Sequence, residues 1–246
     1  MELLLPELTL GATVAVGCAA LLGGVAQSTL GFGAAFMAVP VLALTAPELL
    51  PGAMLVAILP LSVVMVVGSY RDIDLRGLSR LSIGRLPGIV AGAAVVAVLP
   101  VRGLTVVIAA LLLLAVAAAA WGKEITVTGP RETAAGFVSG LTGTAAALGG
   151  PPLALLYRGR SGVIVRPTLA AVWAIGIVPA LISLAVVGEF TIAQARAGAL
   201  FAVAMLLGLG VAHPIIRFVP DVTIRRAVLG WAAIGGALAL VRAGFA

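Results

Sequence analysis

Residues 8–47 read LTLGATVAVGCAALLGGVAQSTLGFGAAFMAVPVLALTAP, forty residues without a charge. A helix needs about 20 apolar residues to cross a hydrocarbon core of roughly 30 Å, so this stretch is twice too long for one crossing. Gly31-Phe32-Gly33 and then Pro40 interrupt it. Glycine frees the backbone and proline removes a ladder donor, so an interrupted helix is expected here, with Pro40 among its breakers. A second unit, residues 133–157, closes on Gly149-Gly150-Pro151-Pro152, where Pro151 and Pro152 forbid a continuous helix.

The other uncharged stretches run 49–70, 86–101, 103–122, 167–188, 197–216 and 227–241, giving eight hydrophobic units. Two of them, 86–101 and 227–241, are short for a crossing. Arg85, Arg102, Arg226 and Arg242 flank them and are expected to snorkel to the interface. Of 246 residues, 62% are hydrophobic and 10% charged, with a mean hydropathy of +1.25. A soluble domain carries about 25% charge. Those figures exclude an ordinary soluble enzyme, a disordered chain and a disulfide scaffold, and they make lipid the main solvent.

A net charge of +6 raises nucleic acid as a partner, but no basic run with interleaved aromatics exists, so none is expected. The lone Cys18 is read as a small core residue, and His213 as a capping or interfacial one. No nucleophile–base pair, metal-ligand spacing or phosphate loop is present, so neither catalysis nor a cofactor is expected. Trp121, Tyr70 and Tyr157 sit at segment ends, as interfacial belt residues do. The polar segment 70–85 is read as a loop whose charges anchor the flanking helices.

The two broken units share a spacing of 112 residues: Gly24 and Gly136, Gly31 and Gly143, Pro40 and Pro152. Three further apolar stretches follow each. This predicts a duplication, with a first membrane repeat over 1–122, a cytoplasmic connector at 123–132 and a second repeat over 133–246. Lys and Arg prefer the cytoplasmic side, which tests the orientation. If 133–157 crosses fully, the 15 basic residues divide eight against seven. If it enters and returns on one side, only Arg102, Arg196 and Arg242 stay outside, leaving the other 12 of 15 inside. The bias favours a re-entrant unit and hence two inverted repeats, each with one interrupted helical unit plus three transmembrane helices. The expected class is an all-α polytopic membrane protein.

Inverted repeats with broken helices suit a secondary transporter. A helix that starts inside the membrane offers free N–H groups and a positive dipole end, which together can hold an anion without a cationic side chain. Candidate substrate contacts are Gln27, Ser28, Gly31, Phe32 and Gly33 in the first half, with Ser139, Thr142, Gly143, Thr144, Gly149 and Gly150 in the second. Small residues also allow close helix packing, and pairs such as Gly136 with Gly140 or Gly88 with Gly92 are read that way.

The run Gly31 to Pro40, the Tyr70-Arg71 segment, the Leu86-Pro87-Gly88 opening and the Gly-Leu-Thr-Gly…Gly-Gly-Pro-Pro run over 140–152 resemble the TauE/SafE sulfite-exporter family. The resemblance spans nearly the whole chain. It implies a multi-pass permease of a bacterial or archaeal plasma membrane that moves sulfite, an organosulfonate or a related carboxylate anion, usually outward. It supplies no catalytic residue. Cys18 alone does not match the cysteine-centred thiosulfate-uptake type. The expectation is therefore a secondary permease exporting a small sulfur-containing oxyanion by alternating access, with a small anion and the bilayer as partners and a homo-oligomer left open. The alternatives are a permease for a carboxylate anion and a membrane-embedded binding or assembly subunit that transports nothing.

Overall fold

The computed structural model of the chain describes residues 9–121, 126–157, 159–216 and 220–245, without the side chains of 213–216 and 245. Glu2, Glu7, Lys123, Arg158, Arg217 and the His213 side chain, on which parts of the sequence reading rest, lie outside the described residues. Among the described residues the chain forms ten helices and no strand. They are α1 (Leu10–Leu30), α2 (Ala34–Thr45), α3 (Gly52–Ser69), α4 (Leu75–Val98), α5 (Val101–Trp121), α6 (Gly129–Ala146), α7 (Gly150–Leu156), α8 (Gly162–Val186), α9 (Ile192–Ile216) and α10 (Asp221–Phe245). Seven of them, α1, α3, α4, α5, α8, α9 and α10, are long and apolar enough to cross a membrane. Their outer faces carry exposed Val67, Val90, Val98, Val186 and Ile234, an apolar exterior that only lipid solvates without penalty. The protein is an all-α polytopic membrane protein.

The eight apolar units become ten helices because the first and the fifth are each broken in two. Both breaks are built alike. Gly31 (φ 80°) caps α1 and Ala147 (φ 58°) caps α6, both in the left-handed region; Gly33 and Gly149 are the N-caps of α2 and α7. Corresponding caps are thus 116 residues apart, whereas the sequence spacing suggested 112. Gly33, at φ 132°, occupies backbone space that side chains seldom enter.

The prolines behave differently from expectation. Pro40 does not break a helix; it lies inside α2, and the break is upstream at Gly31–Gly33. Its ring fits the space left by Gly235 of α10, where a Cβ would collide with it. Nearby, Trp231 Nε1 donates to the Met37 carbonyl at 3.0 Å, so α10 satisfies backbone beside the proline. Pro151 and Pro152 stand in the first turn of α7, where a missing N–H costs nothing, so they open this helix after the break at Ala147–Gly149.

The segment 70–85 is not a loop. A single 3-10 turn, Tyr70–Asp72, leads into α4, whose N-cap Asp74 accepts from the Gly77 N–H at 3.0 Å. That cap starts the helix eleven residues ahead of the apolar run, and it carries Arg85 from the expected interface into the middle of a 24-residue helix. Cys18 is also misplaced by the sequence reading: it sits on the exposed face of α1. Tyr157 is no belt residue but is buried at 3% exposure. Tyr70 and Trp121 are exposed at helix ends, as expected of a belt.

Helix pairings fall into matched sets when the first five helices are exchanged with the last five. α4 packs on α6 as α9 packs on α1; α3 on α9 as α8 on α4; α2 on α10 as α7 on α5; α3 meets α8, and α5 meets α10. Glycine sets the closest of these contacts. A Cβ on Gly84 or Gly88 would collide with the carbonyls of Thr133 or Phe137, and one on Gly136 or Gly140 with those of Leu81 or Arg85. Gly24 and Gly208 make the same approach between α1 and α9, against Met205 and Leu21. Small residues let two backbones meet where lipid gives no hydrophobic push between helices.

Candidate functional site

Arg85 is the eleventh residue of α4, about 15 Å along it at 1.5 Å per residue. It is 2% exposed. Its stem passes Gly176 of α8, where a Cβ would collide with Nε, so a glycine there is what admits the side chain. Nη1 donates to Ser139 Oγ of α6 at 2.8 Å, and Ser139 Oγ donates to the Gly149 carbonyl at 2.6 Å. One hydroxyl thus ties the arginine to the second break. Nε is buried without a hydrogen-bond partner. Among the described residues no carboxylate forms an ion pair with Arg85; the ion pairs found are Arg80–Glu132, Arg160–Asp74 and Arg166–Asp221.

Beside the guanidinium lies a cavity of about 30 Å³, room for about two water molecules. Both breaks contribute to its wall: Gln27, Phe32 and Gly33 from the first, Gly143, Gly149 and Gly150 from the second, with Phe36 and Trp173 completing it. The breaks touch, since a Cβ on Gly150 would sit 3.2 Å from the Phe32 Cβ. Gln27 Oε1 accepts the Ala34 N–H at 3.2 Å, which caps α2 from within the chain.

Of the eleven sequence candidates, six line this cavity and Ser139 stands directly behind it on Arg85. The other four point elsewhere. Ser28 Oγ donates back to the Gly24 and Val25 carbonyls. Gly31 packs against the Arg166 Cα and Cγ, 3.2 Å from where its Cβ would be. Thr142 Oγ1 bonds the Val138 and Leu148 carbonyls and so staples the break. Thr144 packs against Gly92, its hydroxyl buried without a partner.

The expectation of an anion site free of cationic side chains is corrected. α7 is poor in free donors, because Pro151 and Pro152 fill its first turn, and Gln27 occupies the first N–H of α2. The positive charge at the breaks is supplied by Arg85. The missed signal was Asp74, a capping residue three positions ahead of a glycine N–H; counting the helix from there puts Arg85 at its centre. Nothing in the sequence singled out Trp173 or Gly176.

A polar cluster ties one end of this assembly together. Glu132 of α6, 3% exposed at its side chain, receives Arg80 Nη1 at 2.9 Å and the Tyr157 hydroxyl at 3.1 Å. Burial and the adjoining Glu132 carboxylate raise the Tyr157 phenol above its ordinary pKa, which keeps it a donor. The contact also brings the residue after α7 back beside the first turn of α6, so the chain doubles back on itself at this break. Asp74 N–H donates to Thr168 Oγ1 at 2.9 Å, and Arg160 Nη1 reaches Asp74 at 3.4 Å.

Two helix breaks meeting around a buried guanidinium, within a shell of membrane-length helices, is a transporter-like arrangement. The family described as sulfite exporter TauE/SafE matches residues 16–239. The chain belongs to the sulfite exporter TauE/SafE family. No curated protein and no solved structure matches it. TauE/SafE is a family of membrane transporters, and the matched span contains every helix break and every cavity-lining residue described above.

Proposed function

We propose that this chain is a permease for a small sulfur-containing oxyanion such as sulfite or an organosulfonate, bound at Arg85 between the two helix breaks and exported from a bacterial or archaeal cell across the plasma membrane. The observation that carries the reading is the buried guanidinium of Arg85. An arginine at the centre of a crossing helix costs about 2.5–3.5 kcal/mol even on translocon scales, and here no carboxylate among the described residues offsets it. A bound oxyanion would supply the missing charge and accept the free N–H groups in the bidentate manner guanidinium favours. An assembly subunit would have no use for such a group.

Alternating access between two inverted halves is the mechanism we favour. The exchange-matched helix pairings support a two-fold relation. So does the placement of the hairpin ends: Tyr157 returns to the start of α6, while Leu44 at the end of α2 meets Arg242 and Glu48 meets Gln194. With Arg85 removed from the tally, 11 basic residues remain inside against three outside, still a cytoplasmic bias at the end where α6 begins. An anion leaving an inside-negative cell gains about 2.3 kcal/mol per charge per 100 mV, which supplies a driving force without a coupled ion.

The test is thermal-shift binding by the purified protein against sulfite, thiosulfate, sulfoacetate, taurine, sulfate and short carboxylates at matched ionic strength. A saturable rise with a sulfur oxyanion is expected. A flat response over the panel overturns the reading, and a rise with carboxylates alone moves it to that substrate class.

A further inference from the structure

Trp173 is 5% exposed, and a buried indole N–H ordinarily finds an acceptor. Trp231 does so, donating to the Met37 carbonyl at 3.0 Å, whereas Trp173 Nε1 has no hydrogen-bond partner among the described residues. Trp173, Gly176 and Ile177 share one face of α8, at the i, i+3, i+4 spacing of neighbours on a helix. Gly176 admits the Arg85 stem, and the other two line the cavity beside the guanidinium.

The arginine and the indole stand against consecutive residues of the second break. A Cβ on Gly149 would sit 3.3 Å from Arg85 Nη1, and one on Gly150 would sit 3.6 Å from Trp173 Cζ2, on the Nε1 side of the ring. Adjacent Cα atoms are about 3.8 Å apart, so one small anion can span both groups. Arg85 Nε, like Trp173 Nε1, has no partner. The cavity thus offers donors and has little with which to accept a proton. No side chain lining it is a carboxylate, a hydroxyl or an imidazole. Gln27, its remaining polar side chain, has Oε1 on the Ala34 N–H, and behind the guanidinium the Ser139 hydroxyl is already spent on the Gly149 carbonyl.

We propose that the Arg85 cavity is a donor-only site in which Trp173 Nε1 is the second side-chain donor to the anion, and that it selects oxyanions carrying no proton. The inference rests on the permease reading for the use of the site, though the selection would hold for any anion bound there. An O–H on the ligand finds no side chain to take its proton, and a buried donor left unmet weakens binding. Sulfate, sulfonates and the sulfite dianion carry no proton near neutrality; bisulfite carries one and inorganic phosphate at least one. Sulfate and phosphate are both tetrahedral and close in size, so comparing them separates the proton from the shape.

The experiment is calorimetric titration of the purified protein with sulfite, sulfate and phosphate at neutral pH and matched ionic strength, paired with tryptophan fluorescence and with sulfite efflux from proteoliposomes. Phosphate should bind roughly 10- to 100-fold more weakly than sulfate. Trp173→Phe keeps a ring and removes the N–H, so sulfite binding should weaken by roughly 10- to 100-fold. Its unliganded melting temperature should stay unchanged, because no bond within the protein is lost. Sulfite should alter the fluorescence of the wild type and not of this variant, since the other tryptophans, Trp121 and Trp231, are exposed away from the cavity. Phosphate binding as tightly as sulfate, or neither binding, overturns the proton selection. Trp173→Phe that binds sulfite like the wild type, or that melts lower in step with its loss of binding, overturns the indole donor. Efflux that is lost in Arg85→Gln yet ignores Trp173→Phe would sink this inference and leave the permease reading standing. Sulfate chosen over phosphate, with no efflux of any sulfur oxyanion, would do the reverse.

Discussion

Arg85→Met separates binding from folding because the two should move in opposite directions. Nη1 is committed to Ser139, which leaves Nε and Nη2 for an oxyanion. Two charge-assisted hydrogen bonds at about 1.5–3 kcal/mol each sum to about 3–6 kcal/mol. At about 1.4 kcal/mol per decade, affinity should fall by about 10²- to 10⁴-fold. Stability should not follow. Methionine fills the stem's path past Gly176, Ser139 keeps the Gly149 carbonyl as an acceptor, and a buried charge without an ion pair disappears. Replacing buried charge with apolar side chains is commonly neutral or stabilising by about 1–4 kcal/mol. The assay is thermal unfolding in detergent with and without sulfite. The variant should unfold at the same temperature or higher, and its sulfite-dependent rise should vanish. Arg85→Lys keeps the charge but not the fork, so partial affinity is expected. An Arg85→Met protein that still binds sulfite within threefold of the wild type refutes the site. One that unfolds far below it refutes the premise that this arginine is held at a cost to stability.

The geometry sets further outcomes. Ser139→Ala removes a hydroxyl bonded to both Arg85 and Gly149, so a loss of about 1–3 kcal/mol is expected in chemical denaturation, with weaker sulfite binding. Gly88→Val drives a side chain into the Phe137 carbonyl and should prevent a folded, monodisperse protein in size exclusion, at a cost on the order of 3 kcal/mol or more; Gly230→Ala, with open space around its Cβ position, should be neutral or stabilising by up to about 1 kcal/mol. Tyr157→Phe deprives the buried Glu132 of one donor while Arg80 remains, so thermal stability should drop by about 1–2 kcal/mol. Ala147→Gly relieves a left-handed backbone carried by a residue with a Cβ, and should raise the melting temperature by an amount worth about 1 kcal/mol.

Much of the fold was legible because lipid leaves a coarse imprint: charge-free stretches of crossing length map onto helices one for one, save where glycine interrupts them. The interrupted units, and the close-packing role of the glycine pairs Gly88/Gly92 and Gly136/Gly140, followed from residue type and spacing. What failed, failed through local context. Proline was read as a breaker, yet Pro40 sits in α2 because Gly235 leaves room for its ring and a tryptophan on α10 bonds the backbone beside it. Arginine was read as a boundary marker, yet a cap at Asp74 carries Arg85 inward, and the space for it is a glycine on a helix 91 positions away. No window along the chain contains that pair. Tyr157 was read as a belt residue for want of any sign that Glu132 would fold back beside it.

The tightest seams in the molecule do not follow the division into sequence halves. Gly84, Gly88, Gly136 and Gly140 lock α4 of the first half to α6 of the second, while Gly24 and Gly208 lock α1 to α9. Backbones in carbonyl contact leave no slack for sliding, since interiors packed this closely shift between discrete arrangements and do not deform continuously. Each seam therefore joins helices from both halves into one body. The cavity lies between those bodies: Arg85, Gly143, Gly149 and Gly150 on the α4–α6 side, Gln27, Phe32 and Gly33 on the α1–α9 side. At the cavity, the contact between the bodies is a phenylalanine against a glycine, which can part without breaking a hydrogen bond. On the permease reading, with alternating access as its mechanism, the proposed repeats would thus not be the halves that move. Access to Arg85 would then open by one glycine-locked body rocking against the other, with the ring of Phe32 as the side chain that gives way.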